Sequence, residues 1–258
     1  MSQTSAVVEP GPVTITGAAG EVGRRVVPFL CQKHPLRLTD LRPGTIEGME
    51  VVPNDLLDLD ATLRVLEGSR AVVHLAIADY TGVNDQSPEE LQAPYRRRML
   101  DVNITGAYHI FEAARILKIP RVVYMSSLTV MFGSPAPNRR EIDRPQTPLN
   151  FYACTKAFGE NLAWVYHQRY GIEAYVLRLG QPFPRGVPQE EEWKKSPRSA
   201  SNFTTFADIA RSIDAALKVQ EPAYGVFNVV SRSSFGHVDL SAGKGFGFEP
   251  EDLVDDLL

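Results

Sequence analysis

Two side chains that could exchange a proton lie four residues apart, Tyr152 and Lys156. On a helix this spacing places the phenol and the ammonium on one face, roughly 6 Å apart at Cβ. A tyrosine with its ordinary pKa of about 10 is a poor base at neutral pH. A neighbouring cation favours the phenolate and lowers that pKa. The pair therefore predicts acid/base chemistry on a hydroxyl group, but the spacing is common by chance and needs support from its position in the fold.

The elements around the pair place it at the end of a strand. The sequence predicts a strand over 121–125 that opens onto Ser126 and Ser127. It then predicts a helix from Tyr152 to about Tyr170, with Gly171 at its C-terminal cap. In a parallel sheet, such a strand end faces the crevice in which ligands bind. The position therefore favours a functional pair over a solvated lysine beside a half-buried tyrosine.

A glycine motif at the start of the chain predicts a phosphate-binding turn. The apolar, β-branched strand Val13–Thr16 runs into Gly17, Gly20 and Gly23, and a helix over 24–32 follows. The first glycine allows a tight turn, the second allows close approach to a pyrophosphate, and the third allows the helix to pack on the strand. The helix N-terminus offers unpaired N–H groups to the phosphates.

The acidic residue expected of a dinucleotide site follows this motif. A second strand over 36–39 ends at Asp40, where a carboxylate can accept hydrogen bonds from ribose hydroxyls. That charge would repel a 2′-phosphate, and Glu21 adds a second negative charge, while Arg42 partly offsets both. The alternative is an ordinary glycine turn. Two framing strands and the acid favour NAD as the cofactor.

The rest of the chain alternates strands with helices, which predicts an α/β fold with a doubly wound parallel sheet of Rossmann type. We expect a single domain over 1–258, with a small C-terminal substrate-binding lobe from 181–205 and 228–258. The other predicted strands are 50–52, 71–76, 174–179 and 226–230, the other helices are 59–66, 95–117 and 206–219, and the long loops are 77–94 and 128–150.

Composition excludes several classes of function. The net charge of −4 over 258 residues gives no basic excess for nucleic acid, and no apolar stretch approaches the roughly 18 residues of a membrane span. Met1–Pro12 lacks the features of a secretory signal. Cys31 and Cys154 both fall in predicted helices, so we expect buried thiols and a cytoplasmic protein. The five histidines never approach a metal-ligand spacing, and we predict no metal site.

In order and spacing, these motifs resemble the extended short-chain dehydrogenase/reductase family, which includes NAD-dependent epimerases and dehydratases. The resemblance implies that Ser127 hydrogen-bonds a substrate oxygen and that Tyr152 is the acid/base. The residues that carry the resemblance are Gly17, Gly20, Gly23, Asp40, Asp55, Leu56, His74, Leu75, Ala76, Asn103, Ser126, Ser127, Tyr152 and Lys156.

The same resemblance implies a full cofactor site. Asp55 would bind the adenine amino group beside Leu56, Lys156 would hold the nicotinamide ribose, and Asn103 would support the site. His74 and Asn103 have an alternative as polar residues satisfied inside the sheet. The implied cofactor-binding set is Gly17, Ala19, Gly20, Glu21, Val22, Gly23, Asp40, Leu41, Arg42, Asp55, Leu56, Leu75, Ala76, Ile77, Asn103, Met125, Tyr152, Lys156 and Leu179.

Within that family the chain resembles bacterial uronate dehydrogenases. The segment 178–184 and the small C-terminal region carry this likeness, and Arg198 falls where those enzymes hold the substrate carboxylate. The alternative for Arg198 is an exposed loop arginine. Leu128 and Thr129 stand where those enzymes have an Asn-His pair, which argues for a less polar or different substrate around Leu128.

The sequence thus predicts an NAD-dependent oxidoreductase that transfers a hydride between NAD and a hydroxyl carbon of a small sugar or sugar acid. One alternative is a sugar-nucleotide epimerase or dehydratase that retains NAD, and another is a non-catalytic NAD-binding regulator. Many relatives form dimers through helices equivalent to 95–117 and 152–170, so we expect a homodimer.

Overall fold

The computed structural model describes residues 11–79, 87–133, 142–143, 145–183 and 202–254. In these residues an eight-stranded sheet contains the strands β1 (Val13–Thr16), β2 (Leu36–Asp40), β3 (Gly44–Ile46), β4 (Met49–Pro53), β5 (Ala71–His74), β6 (Arg121–Ser127), β7 (Glu173–Leu179) and β10 (Tyr224–Val229). A separate parallel pair is formed by β8 (Gln181–Phe183) and β9 (Phe203–Thr205).

Helices cover both faces of the sheet. The helices are α1 (Glu21–Leu30), α2 (Leu59–Leu66), α3 (Glu89–Met99), α4 (Ala107–Ile116), α5 (Phe151–Tyr170), α6 (Phe206–Lys218) and α7 (Ser241–Gly245), with a π-helical segment at Leu100–Gly106 and a 3₁₀ segment at Leu128–Met131. One core contains apolar residues of α1 and α6, namely Val26, Val27, Leu30, Ile209 and Ile213. The other core contains residues of α2, α4 and α5, namely Leu66, Ile110, Phe111, Ala163 and Tyr166. These two layers confirm the predicted doubly wound α/β fold.

The strand order places the ligand-binding edge. It is β10-β7-β6-β5-β1-β2-β4-β3, and β3 runs antiparallel to its neighbour. The chain winds outward from β1 in both directions, so the order reverses between β1 and β5, where Thr16 pairs with His74. Ligands of such sheets bind at this switch point, beyond the carboxyl ends of the strands. Asp40, Ser127 and Leu179 all end strands at the same edge.

The predicted loop over 77–94 is wrong at its end, because α3 already begins at Glu89. Pro88 is the N-cap of this helix, a position where a missing N–H group costs no helical hydrogen bond. Glu89 and Glu90 then place negative charge in the first turn, which the helix dipole favours. Proline is read in a sequence as a helix breaker, whereas Pro88 here marks the start of α3.

The helix predicted over 95–117 consists of three pieces, which are the end of α3, the π-helical segment and α4. A π turn holds one extra residue, and such turns are frequent at functional sites. This one contains Asn103, whose side chain bonds two groups outside the helix. The partners of Asn103 are Ala78 and Thr155, which are distant from it along the chain. The π turn therefore cannot be predicted from local periodicity.

β3 is not among the predicted strands. It pairs antiparallel with β4 through a turn in which Glu47 and Gly48 both have positive φ. The expectation of buried thiols is wrong for Cys154, which is exposed, and Cys31 is half-buried.

The small C-terminal lobe remains a prediction, because residues 184–201 lie outside the described residues. Its described parts are the β8–β9 pair, α7 and a cleft of about 260 Å³ lined by residues 230–233, Gly236, Val238 and Leu240. Among the described residues, no helix has the length and apolar character needed to cross a membrane.

Candidate active site

The glycine loop between β1 and α1 forms a cradle that larger residues would fill. Gly17 has φ of 73°, and a Cβ there would lie 2.5 Å from the backbone nitrogen of Ala76. A Cβ at Gly23 would overlap the carbonyl oxygens of Gly17 and Ala18. Gly20 is the N-cap of α1 and carries no side chain that could cap the first turn. These features fit a pyrophosphate bound to the helix N-terminus.

Asp40 fixes this loop from the end of β2. Its Oδ2 accepts a hydrogen bond from the backbone N–H of Ala19 (3.1 Å), and its Oδ1 accepts one from the backbone N–H of Arg42 (3.0 Å). The Arg42 guanidinium lies 3.7 Å from the same Oδ1. Each carboxylate oxygen keeps a further lone pair, so Asp40 can still accept hydrogen bonds from ribose hydroxyls.

The predicted adenine site lies beyond β4. Asp55 is exposed, and its Oδ1 accepts a hydrogen bond from the backbone N–H of Leu57 (2.9 Å). Leu56 is buried against Gly106, where a Cβ would stand 3.1 Å from the Leu56 Cβ. The Leu56 carbonyl also bonds to the His109 ring at 2.7 Å. Asp55 is thus free to reach a ligand, whereas Leu56 contributes mainly to the floor of the site.

The first turn of α5 carries Tyr152 and begins at a side-chain cap. Asn150 is the N-cap, and its side chain accepts a hydrogen bond from the backbone N–H of Ala153 (2.8 Å). Tyr152 is half-buried at the start of the helix. Lys156 lies one turn later, with its Nζ 5.9 Å from the centre of the Tyr152 ring. The predicted four-residue spacing therefore does place both side chains on one face.

Lys156 is held in an apolar, aromatic setting. Only 2% of the residue is exposed, and its Nζ donates a hydrogen bond to the Met125 carbonyl (2.8 Å) and lies 5.2 Å from the centre of the Tyr124 ring. Burial lowers the pKa of Lys156 to about 7, although the Glu160 carboxylate opposes that shift. The pKa of Lys156 therefore lies close to physiological pH, and its Nζ lies near the Tyr152 ring.

Ser127 ends β6 two residues after the carbonyl that holds Lys156. Its Oγ accepts hydrogen bonds from the backbone N–H and the hydroxyl of Thr129, at 3.2 and 3.0 Å. The Ser127 proton is therefore available for a substrate oxygen. Leu128 points into an apolar cluster with Ala157, Val230 and Val238, and only 1% of it is exposed.

A chain of hydrogen bonds joins the π-helical segment to α5. The Asn103 amide oxygen accepts a hydrogen bond from the Ala78 N–H (2.8 Å), and its amide nitrogen donates one to Thr155 Oγ1 (3.0 Å). Thr155 in turn donates to the Tyr152 carbonyl (2.7 Å). Asn103 thus ties the segment after β5 to the first turn of α5, and its supporting role at the site stays a prediction.

His74 is a structural neighbour of Lys156 rather than a base. Its Nδ1 lies 2.7 Å from Thr16 Oγ1 in a hydrogen bond, and its ring stacks on Tyr124 with centroids 5.8 Å apart. Burial, helped by the nearby Lys156 charge, lowers the pKa of His74 to about 3. The imidazole is therefore neutral at physiological pH.

The remaining predicted residues lie around the same edge, with one exception. Leu41 and Ile77 expose 68% and 37% of their surface. Arg198 lies outside the described residues. The others at this edge are Glu21 (exposed), Val22 and Ala76 (half-buried), and Leu75, Met125 and Leu179 (buried).

The sequence interpretation missed a buried cluster behind the site, centred on Glu160 and Arg178. The two side chains pair at 2.9 Å, with 3% and 6% of their surfaces exposed. The signal was present, because Glu160 follows Lys156 by the same four-residue step that separates Lys156 from Tyr152. Thr155, which joins Asn103 to α5, was also missed.

Comparison with known proteins identifies the family of the chain. A family model described as the NAD dependent epimerase/dehydratase family matches residues 13–229. The chain belongs to this family. The match confirms the predicted family resemblance, the NAD-dependent enzyme class and the cofactor at the level of the family.

The chain is also similar to individual members of the family. Uronate dehydrogenase from Pseudomonas syringae pv. tomato is 31% identical over 242 residues, which is 92% of this chain and 81% of that protein. L-Arabinose 1-dehydrogenase (NAD(P)(+)) from Haloferax volcanii is 33% identical over 65% of this chain and 66% of that protein. The crystal structure of a mutant uronate dehydrogenase from Agrobacterium tumefaciens complexed with NAD has a TM-score of 0.75 and 29% identity, over 95% of this chain and 86% of that one.

Proposed function

We propose that this member of the family is an NAD-dependent dehydrogenase that oxidises a hydroxyl carbon of a small sugar or sugar acid. The observation that carries the proposal is the convergence of three residues at one sheet edge. Tyr152 and Lys156 share a face of α5, and Lys156 is bonded to Met125, two residues before Ser127. Relatives named for uronate and arabinose oxidation support the same reaction class.

Each residue has a distinct task in this proposal. Ser127 donates a hydrogen bond to the substrate oxygen, and Tyr152 accepts the hydroxyl proton from that oxygen. NAD, when bound, supplies the acceptor for the hydride that leaves the same carbon. Lys156 places a positive charge near the Tyr152 ring and favours its deprotonated form. Asp40 and the glycine loop hold the dinucleotide at the switch point.

We propose a carboxylate on the substrate. A bidentate arginine suits a carboxylate best, and Arg198 belongs to the segment that follows the carboxyl end of β7 and β8. Leu128 supports this choice, because its side chain packs into an apolar cluster and offers no hydrogen bond to sugar hydroxyls. Recognition then depends more on the acid group than on a polar wall beside Ser127.

The test is a screen of NADH absorbance with uronic acids, their parent neutral sugars and lactones. We expect turnover with a uronic acid and a weaker reaction with its neutral parent. Arg198→Lys should raise the KM for the acid by roughly 30- to 150-fold, since losing a charge-assisted pair costs about 2–3 kcal/mol. A silent substitution, or equal turnover of the neutral sugar, would refute the carboxylate.

The same screen separates the rival enzyme class. A sugar-nucleotide epimerase or dehydratase reuses its own NAD, so it would convert a nucleotide sugar without net NADH formation. A non-catalytic NAD-binding protein would bind NAD and turn over nothing. Net NADH with a free sugar acid supports the dehydrogenase over both.

A further inference from the structure

Glu160 is a buried acid on α5 that the proposed reaction does not itself use. Only 3% of Glu160 is exposed, and it lies one helical turn beyond Lys156. Its Oε1 accepts hydrogen bonds from Ser126 Oγ (2.5 Å) and Arg178 Nε (3.0 Å). Its Oε2 accepts hydrogen bonds from Gln146 Nε2 (2.7 Å) and an Arg178 terminal nitrogen (2.9 Å). Both carboxylate oxygens are therefore fully engaged.

The partners of this carboxylate come from the segments that build the site. Ser126 lies between Met125, which holds Lys156, and Ser127. Gln146 belongs to the segment that leads into α5 and Tyr152. Arg178 continues the network, because another of its nitrogens donates to the Ile142 carbonyl (3.1 Å). One buried acid thus joins β6, β7, α5 and the segment before α5.

The charge of Glu160 also acts on Lys156. The titratable groups that face this ammonium are Tyr152 on α5, Tyr124 on β6 and His74 on β5. Burial raises the pKa of Tyr124 and lowers that of His74, so both are neutral near pH 7. Glu160 is the negative charge that raises the pKa of Lys156 against burial.

We propose that Glu160 is a positioning residue for the reaction, and the proposal rests on the proposed function. Through Ser126 and Arg178 it holds the end of β6 so that Ser127 faces Tyr152. Its charge favours the ammonium form of Lys156 beside that tyrosine.

A purely structural role is the competing explanation. A buried ion pair is weak evidence for stability, because packed apolar residues of similar size are often as stable. Breaking the pair from one side would leave Arg178 charged and unpaired, and Glu160→Gln could then fail to fold. The double variant Glu160→Gln/Arg178→Gln removes both charges and keeps hydrogen-bonding side chains in place. It therefore separates loss of the acid from loss of folding.

The experiment compares four proteins in the NADH assay, with thermal unfolding and NAD affinity measured on each. They are the wild type, the double variant, Glu160→Asp and the control Glu112→Gln, whose acid pairs with Arg115 on α4 away from the site. We expect kcat to fall at least tenfold in the double variant, with NAD affinity within twofold of wild type. Glu160→Asp should recover part of kcat, and the control should match wild type.

A titration of Lys156 by NMR adds a test that needs no substrate. Without the acid, Lys156 should lose its proton at a pH lower by about one unit, and the alkaline limb of the kcat profile should move in the same direction. A folded double variant with wild-type kcat and wild-type Lys156 titration would overturn the proposal. If no sugar is oxidised even by the wild type, the proposed function fails, and the NMR shift still decides whether Glu160 controls Lys156.

Discussion

Replacing Lys156 with Met should stabilise the folded protein while it removes turnover. Folding lowers the pKa of this lysine from 10.5 to about 7, mainly because it is buried. A difference of about 3.5 pH units corresponds to roughly 5 kcal/mol of folding cost at and below pH 7. Met fills a similar volume without the charge. The Met125 carbonyl loses its hydrogen bond, however, and this costs about 1–3 kcal/mol. The net gain should be about 2–4 kcal/mol at pH 7.

The pH dependence of that gain has a definite sign. Between pH 7 and 10.5 the unfolded chain keeps the Lys156 proton and the folded protein releases it. Wild-type stability therefore rises with pH across this window, by at most about 1.4 kcal/mol per pH unit from this one group. The Met variant lacks the group, so its advantage should shrink steadily as the pH is raised.

Urea unfolding of both ligand-free proteins at several pH values between 6.5 and 9.5 measures this difference directly. Lys218→Met is a suitable control, because Lys218 is 58% exposed and pairs with Asp214 at the surface. Its removal should change stability by roughly 1 kcal/mol or less. The reasoning fails if Lys156→Met is less stable than wild type at pH 7, or if the gap between them does not change with pH.

Three further predictions concern the cofactor, the acid/base and assembly. Tyr152→Phe should lower turnover by roughly 10²-fold or more, while calorimetry should show that NAD still binds. Near-wild-type turnover would exclude this tyrosine as the base. Because Asp40 repels a 2′-phosphate, NAD should bind at least tenfold tighter than NADP, a difference of about 1.4 kcal/mol or more. Gly23→Ala should abolish binding of both dinucleotides, because the added Cβ would overlap the backbone of the glycine loop. Tyr108 on α4 and Val165 on α5 are 43% and 46% exposed. Replacing both with Glu should convert the expected homodimer to a monomer, as measured by light scattering. If the double variant keeps the molecular mass of the wild type, the interface lies elsewhere.

Local features of the sequence were enough to predict the glycine loop and helix α5. The glycines, the N-terminus of α1 and Asp40 lie within 28 residues, and Asp40 bonds the loop directly. The spacing of Tyr152 and Lys156 on one helix face follows from helical geometry. The alternation of strands and helices along the chain correctly predicted a doubly wound, mostly parallel sheet.

The supporting contacts could not be derived in this way, because they join residues that are distant along the chain. Asn103 meets Thr155 across 52 positions, and Ser126 meets Glu160 across 34. The π-helical segment, the early start of α3 and the exposure of Cys154 likewise depend on how elements pack.

The sequence by itself thus determined the sheet, the glycine loop and the placement of Tyr152 and Lys156 on one helix face, since each depends on periodicity or short spacing. Only the tertiary structure decided the charge state around that pair. Lys156 is shifted towards neutrality and His74 is held neutral because other elements bury them, and Glu160 opposes the shift of Lys156 from within the same core. The pKa of a group depends on its desolvation and its charged neighbours, and both are known only after the helices have packed on the sheet.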